Sequence, residues 1–205
     1  MSLMQPDLEG YFRGFVPPRD ELLFELEREA EREGIPIVGP VVGELLFILA
    51  RAAGAAHILE LGTATGYSTI YLGRACDPAK GRVLTLEQDA ALARRARSNF
   101  ARAGLEKLIE VREGDAFQLM GKMSGPFDFI FMDIDKEGYL PALPHCLRLL
   151  KVGGLMVTDN VGFSGAADFN REIFRHRQWR TVHLLGLLPR HSPEKDGLSL
   201  ALRVD

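Results

Sequence analysis

The sequence predicts an α/β fold: a doubly wound, mostly parallel sheet of seven strands with an antiparallel closing strand and helices on both faces. Three observations lead there. From His57 onward, short apolar runs alternate with longer stretches of helical period, the mark of repeated strand–helix–strand units. The first of these strands runs directly into a glycine-bearing turn, Gly62-Thr-Ala-Thr-Gly66, that opens a helix. Acidic residues then stand at the ends of successive strands, where a parallel sheet presents its ligand-binding crevice. Together they describe a Rossmann-like arrangement.

Each element has its own signal. Asp20 to Glu33 places Leu22, Leu23, Leu26 and Ala30 on one stripe among charged positions, which predicts an amphipathic helix. Gly34 and Pro36 interrupt it, and a more apolar helix follows from Val41 to Ala53, suited to burial or to a subunit contact. Ile58 to Leu61 is a strand followed by a helix from Tyr67, and Val83 to Glu87 a strand followed by a helix from Asp89. Leu108 to Val111, Phe127 to Met132 and Leu155 to Thr158 give three more strands with helical stretches between them. After a helix over Ala167 to His176, the runs Thr181 to Leu188 and Leu198 to Val204 make two closing, antiparallel strands joined by a loop rich in Pro, Ser, Glu, Lys, Asp and Gly.

Composition narrows the class. At 205 residues the chain makes one domain of ordinary size, spanning 1–205, with 1–55 as an N-terminal helical appendage. Hydrophobic residues make up 46% and charged residues 26%, a mixture that folds. The net charge of -3 provides no excess of positive groups for nucleic acid or an anionic membrane, so neither is an expected partner. No apolar run approaches the roughly 20 residues of a membrane span. Residues Met1 to Asp7 lack the basic start and long apolar centre of a secretory signal, which predicts a cytoplasmic protein. Cys76 and Cys146 have no metal-ligand spacing and read as separate buried thiols. His57, His145, His176, His183 and His191 show no paired spacing, and a structural or surface role is expected of each.

The chemistry is written in two places. Around the turn, Gly62 and Gly66 let backbone approach a ligand, and Glu87 ends the next strand about 20 residues on, where a carboxylate accepts from both hydroxyls of a ribose. A nucleoside-containing cofactor follows. A pyrophosphate needs Gly-x-Gly-x-x-Gly, which this turn does not supply, and the charge of Glu60 repels phosphate but suits an ammonium group such as the amino end of a methionine moiety. S-adenosylmethionine is therefore favoured over NAD, with Asp115 and Ala116 placed at the adenine edge. A tight strand-to-helix turn is the plainer reading of a lone Gly-x-x-x-Gly, and the acids after three successive strands weigh against it.

The second place is the exit of the fourth and fifth strands, Asp133-Ile-Asp-Lys136 and Asp159-Asn160. All parallel strands present their carboxyl ends to one crevice, so Asp133, Asp159 and Asn160 can converge despite their separation in sequence. Two carboxylates and an amide carbonyl form a hard, all-oxygen half-shell suited to Mg2+, with Mn2+ or Ca2+ as alternatives. Taken singly, each pair also reads as loop-forming Asx residues. Lys136 lies within reach of a substrate oxygen there, and a nearby cation together with partial burial would favour its neutral, basic form; a solvated surface lysine is the alternative.

At these residues the chain resembles the cation-dependent O-methyltransferases, the group that includes catechol and caffeoyl-CoA O-methyltransferases and small bacterial relatives. The resemblance runs from Gly39 to Gly165 through Ile58-Leu-Glu-Leu-Gly-Thr-Ala-Thr-Gly-Tyr-Ser-Thr-Ile70, Glu87, Glu113-Gly-Asp-Ala116, Phe127-Asp-Phe-Ile-Phe-Met-Asp-Ile-Asp-Lys136 with Tyr139, and Gly153-Gly-Leu-Met-Val-Thr-Asp-Asn160; Asp196-Gly-Leu-Ser-Leu-Ala201 matches more loosely. It implies that Glu60, Gly62, Thr63, Ser68, Glu87, Ala116 and Asp135 hold the cofactor, with Val38 near its carboxylate end. It further implies that Asp133, Asp159 and Asn160 bind the metal, that Lys136 deprotonates the acceptor, and that the protein is a homodimer. The expected reaction is direct SN2 transfer of a methyl group from S-adenosylmethionine to a hydroxyl of a small acceptor, a catechol or other vicinal diol. An NAD-dependent oxidoreductase and a non-catalytic nucleoside-binding module are the rival readings. Ser164 stands where plant members carry Asn, and Ile134 replaces the ring that catechol enzymes place against adenine.

Overall fold

The computed structural model describes residues 4–205; Met1, Ser2 and Leu3 of the expected N-terminal segment lie outside it. Three helices, α1 (Leu8–Arg13), α2 (Glu21–Glu33) and α3 (Gly39–Ala52), precede β1 (His57–Leu61). The chain continues through α4 (Tyr67–Ala75), β2 (Arg82–Glu87), α5 (Ala90–Arg102), β3 (Ile109–Glu113), α6 (Ala116–Lys122) and β4 (Phe127–Met132). It closes with α7 (Tyr139–Leu149), β5 (Leu150–Thr158), α8 (Ala167–Arg175), β6 (Trp179–Leu187) and β7 (Lys195–Arg203).

The sheet order is β3-β2-β1-β4-β5-β7-β6. All pairs among β1 to β5 are parallel, while β7 runs against both β5 and β6. The two closing strands are antiparallel to each other, as expected; β7 is the strand that runs against the rest, and β6 runs with the parallel set. The expected helices and strands are otherwise present; β5 starts at Leu150, ahead of the apolar run at Leu155, and α1 is an additional helix.

Alternation along the strands sorts side chains into two cores. Ile58, Phe129 and Phe131 face α2, α3, α4 and α5, where Leu26, Leu46, Ile70 and Phe100 pack on them. Leu59, Leu61, Ile130 and Met132 face α6, α7 and α8, against Met120, Leu143 and Phe169. Each fully buried Leu or Phe contributes about 1.5–3 kcal/mol of transfer free energy. Because Leu23, Leu26, Val42 and Leu46 of α2 and α3 belong to the first core, these N-terminal helices are part of its packing rather than beads on its surface.

Local chemistry sets the helix starts. Asp20 accepts from Leu23 N–H (3.0 Å), Asp89 from Ala91 N–H (2.7 Å) and Asp115 from Gln118 N–H (2.9 Å), each satisfying an orphan donor of the first turn. Gly34 ends α2 in the left-handed conformation at φ 67°, as the sequence requires. Cys76 and Cys146 are separate, buried and unbridged, and burial lifts their thiols to about 11 and about 12. Among the described residues no helix is long and apolar enough to cross a membrane.

Candidate active site

Strand register decides which residues meet. Leu61 is level with Met132, and Met132 with Thr158. One residue further on, Gly62, Asp133 and Asp159 leave the sheet side by side, with Asp133 N–H bonded to Leu61 O (2.9 Å) and Asp159 N–H to Met132 O (3.1 Å). The chain also changes its winding direction between β1 and β4, so this is the switch point at which open α/β sheets hold ligands. A cleft of about 660 Å3 opens there, within the range of small-molecule sites.

The first half of the cleft is built by the β1–α4 turn. Gly62 sits at φ 92°, and a Cβ there would run into the Asp133 carbonyl oxygen, so only glycine lets the two exits lie together. Glu87 Oε2 accepts from the N–H groups of Thr63 (3.2 Å) and Ala64 (2.8 Å), and its Oε1 accepts from Asp89 N–H (2.9 Å). The carboxylate thus clamps the turn while still facing the cleft. Val38, Gly62, Thr63, Ser68, Glu87, Asp115, Ala116 and Asp135 all line this cavity. Gly66 does not; at φ 87° it caps the start of α4 against Phe100 and acts on the turn's shape.

Glu60 occupies a different place from the one expected. Strand parity puts it on the same face as Ile58, toward α4, and it is wholly buried away from the cleft. Its oxygens accept from Ser68 Oγ (2.6 Å), Thr85 Oγ1 (2.6 Å) and Thr69 Oγ1. Burial pushes its carboxyl up to about 7, against the pull of those three hydroxyls. Three hydroxyls of the scaffold donate to it, so Glu60 braces the turn from behind the cleft.

The second half brings the expected acids together and adds partners. Lys136 Nζ donates to Asp133 Oδ1 (2.9 Å) and to Ile134 O (3.1 Å), and lies 5.4 Å from the Tyr139 ring centre and 5.9 Å from that of Phe163. Burial, then the neighbouring Asp159 charge, raises the Asp133 carboxyl above its ordinary range despite Lys136. Asn160 sits at φ 49°, a conformation Asn tolerates better than most residues. Its Nδ2 donates to Asp196 Oδ2 (2.6 Å) and Ser192 O (3.3 Å). Both partners only accept, so the amide is oriented and its carbonyl oxygen is left for other use. Tyr139 O–H donates to the Asp159 carbonyl (2.9 Å) and fixes that exit from below.

From the sequence, the loop His191 to Asp196 reads either as one that shapes an acceptor pocket or covers the metal or as a plain solvated hairpin, with no individual role for His191 or Asp196; the structure brings both into the site. Because β7 is antiparallel, the β6–β7 connection returns to the same end of the sheet as the β4 and β5 exits, and Val161 N–H bonds Gly197 O (3.0 Å). His191 is almost fully buried, with Nε2 2.8 and 3.0 Å from the two Asp159 carboxylate oxygens. Burial, the largest single influence, opposes charge on the ring, but the hydrogen bond to and charge of Asp159, the Pro193 carbonyl and the Asp196 charge together hold His191 above its ordinary value. The signal available in the sequence was the Asp196-Gly start of the last strand, with His191 five residues ahead of it in a Pro-containing loop. Among the described residues no three His, Cys, Asp or Glu side chains cluster as a metal site by themselves.

Comparison with known proteins agrees with this geometry. The O-methyltransferase family profile matches residues 18–183. A catechol O-methyltransferase of Niastella koreensis is 41% identical over 160 residues, 75% of this chain and 72% of that protein. The crystal structure of an O-methyltransferase from Bacillus cereus in complex with SAH superposes with a TM-score of 0.85 at 31% identity, covering 96% of both chains. An O-methyltransferase of Streptomyces achromogenes involved in tomaymycin synthesis, solved in complex with SAM, gives a TM-score of 0.86 at 28% identity over 97% of this chain and 96% of its own. The turn, the strand exits and these matches over most of the chain have one conclusion: the protein belongs to the S-adenosylmethionine-dependent O-methyltransferase family.

Proposed function

We propose that the protein is a divalent-cation-dependent O-methyltransferase that moves a methyl group from S-adenosylmethionine to a hydroxyl of a catechol or other vicinal-diol acceptor. The observation that carries this reading is the alignment of three strand exits, which sets Asp133, Asp159 and Asn160 beside Lys136 at one end of a cleft whose other end is lined by Thr63, Glu87, Asp115 and Ala116. The catechol and caffeoyl-CoA O-methyltransferases among the relatives support the acceptor class.

Glu87 faces the ribose hydroxyls of the donor, the Asp115–Ala116 segment lies along its adenine, and Val38, Thr63 and Ser68 surround its methionine end, with Asp135 on the rim. Asp133, Asp159 and the Asn160 carbonyl would hold the cation: a hard oxygen set whose two carboxylates otherwise face each other at a cost, as the raised Asp133 carboxyl shows. When bound, Mg2+, or Mn2+ or Ca2+ in its place, stabilises negative charge on the acceptor oxygen. With a cation in place favouring its neutral amine, Lys136 Nζ would take the hydroxyl proton, and the acceptor oxyanion would displace the methyl from sulfonium in one in-line step, releasing S-adenosylhomocysteine without a covalent enzyme intermediate. The 19% exposed Lys136 side chain, under Phe163 and against Tyr139, is held where an aromatic acceptor would stack.

We further propose a homodimer formed through the N-terminal helices, supported by the exposed Tyr11, Phe12, Phe15, Phe24 and Ile48 there. Light scattering is expected to give twice the chain mass, and a monomer at micromolar concentration contradicts it. The acceptor class is tested by presenting labelled S-adenosylmethionine with catechols, caffeoyl thioesters, monophenols and aliphatic diols. Labelled product is expected from vicinal diols, and transfer to monophenols alone would overturn the assignment.

A further inference from the structure

We propose that Glu27, a buried carboxylate of α2, is a positioning residue that couples the two ends of the cleft. Through Tyr67 and Arg190 it ties the helix start at the donor end to the β6–β7 loop at the other, so that a bound donor orders the loop. The inference needs only donor binding, and it holds or fails whatever the acceptor proves to be.

Glu27 is out of place on its own helix. The buried face of α2 consists of Leu23, Leu26, Ala30 and Glu27, so a single charge is set among apolar groups. A buried carboxylate is costly unless it is paired and hydrogen-bonded, and Glu27 is both. Its Oε1 accepts from Arg19 Nε (2.8 Å) and from Tyr67 O–H (2.7 Å), and its Oε2 accepts from a terminal nitrogen of Arg19 (3.0 Å). The Arg190 guanidinium lies 3.6 Å from the same Oε2. Arg19 alone neutralises the charge, its side chain being nearly as buried as that of Glu27 at 8% and 6% exposure. The contacts to Tyr67 and Arg190 are therefore additional to that pairing, and they lead to the cleft in two directions.

The first direction is the donor end. Tyr67 opens α4 directly after the Gly62–Gly66 turn and lines the cleft, while its hydroxyl reaches back to Glu27. A donor packed against that side chain holds hydroxyl and carboxylate in register. The second direction is the loop. Arg190 immediately precedes His191, Ser192 and Pro193, all three on the cleft wall. Its backbone is set: φ is 68°, its carbonyl packs on Gly39 where no Cβ would fit, and its N–H donates to Glu194 Oε1 (2.9 Å). Positive φ at a non-glycine residue persists only where the surroundings enforce it. The Arg190 side chain is 58% exposed, so the Glu27 contact is what draws it back onto the body of the protein. Fixing the carboxylate from one side lowers the entropy cost of fixing the guanidinium on the other, which couples the two ends by ordering alone. An ion pair with one exposed partner supplies at most about a fivefold effect.

The test reads loop order rather than turnover. Hydrogen exchange of peptides spanning residues 188–195 is followed in the full-length protein, without and with saturating S-adenosylhomocysteine, for wild type, Tyr67→Phe, Arg190→Ala, Arg190→Lys and Glu27→Gln. Calorimetry checks that each protein is saturated. Thermal unfolding is the folding control, needed most for Glu27→Gln, which leaves Arg19 buried without a counter-charge. In wild type, S-adenosylhomocysteine is expected to slow exchange in the loop about three- to fivefold. The slowing should vanish in Tyr67→Phe and in Arg190→Ala and return in Arg190→Lys, which keeps the charge. Arg190 is exposed and outside the cleft lining, so its variants decide the matter even where Tyr67→Phe or Glu27→Gln weakens binding or folding. Slowing that survives in Arg190→Ala means that S-adenosylhomocysteine holds the loop by direct contact, and overturns the proposal. A wild-type loop whose exchange does not respond overturns it as well, as does Arg190→Ala exchange raised equally with and without S-adenosylhomocysteine, the mark of a merely structural contact.

Discussion

The two ends of the cleft are built by different means. The cofactor end is organised around one continuous stretch: residues 61 to 68 form one strand exit, one turn and one helix start, Gly62 at φ 92° sets its shape, and Val38, Glu87, Asp115 and Ala116 are added to it from neighbouring elements. The acceptor end is assembled from four separated stretches, carrying Asp133 with Lys136, Asp159 with Asn160, His191, and Asp196, which touch only because strand register and the reversed β7 deliver them to one place. A short-range site depends on backbone conformation; a long-range site depends on the packing of the whole sheet. Damage to the first should disturb donor binding and folding together, whereas damage to the second should remove chemistry while donor binding survives.

The largest effect expected from this contrast is in Lys136→Ala. Loss of a general base should lower turnover on the order of 10²–10⁴-fold, with S-adenosylmethionine affinity by calorimetry nearly unchanged. A parallel loss of donor affinity would erase the division between the two ends. Gly62→Ala should do the reverse: it forces a Cβ against the Asp133 carbonyl at positive φ, and a loss of stability on the order of 3 kcal/mol in urea unfolding is expected, with donor binding lost as well. Wild-type stability in that variant would show that the turn is not fixed by glycine.

Glu60 gives the most pH-specific effect, one that vanishes toward neutral pH. Its carboxyl is raised to about 7 in the folded protein from an ordinary 4.5, so the folded state binds the proton more tightly than the unfolded chain. The associated stability is complete below pH 4.5, declines as pH rises, and is gone above about pH 7, a span of up to roughly 3 kcal/mol. The difference in unfolding free energy between wild type and Glu60→Gln should follow that slope. A difference that is flat across pH 4.5–7 would mean that the carboxyl titrates at its usual value.

Legibility in the sequence follows the same division. The strands ending at Leu61, Glu87 and Met132 and the Gly62–Gly66 turn were readable because apolar runs, glycines and Asx caps act within a few residues. Asp133, Asp159 and Asn160 were found because exit positions of a parallel sheet can be counted without knowing the packing. Glu60 reads from the sequence as a ligand residue beside the turn, and strand parity with Ile58 places it behind the cleft, where Ser68, Thr69 and Thr85 donate to it. The reversal of the last strand was legible, but His191 and Asp196 reach Asp159 and Asn160 through the path of the β6–β7 loop, which no periodicity in the sequence encodes. The short helix α1 had no buried stripe to announce it; none of its residues is buried.

The central claim is that a cation held by Asp133, Asp159 and Asn160 governs the chemistry while the donor binds independently at the other end of the cleft. The most direct measurement is transfer of labelled methyl from S-adenosylmethionine to catechol by chelator-treated protein before and after addition of Mg2+ or Mn2+, with donor affinity measured on the same samples. Transfer should vanish with chelator and return with the ion while donor affinity stays nearly constant. Undiminished transfer in the presence of chelator would contradict it.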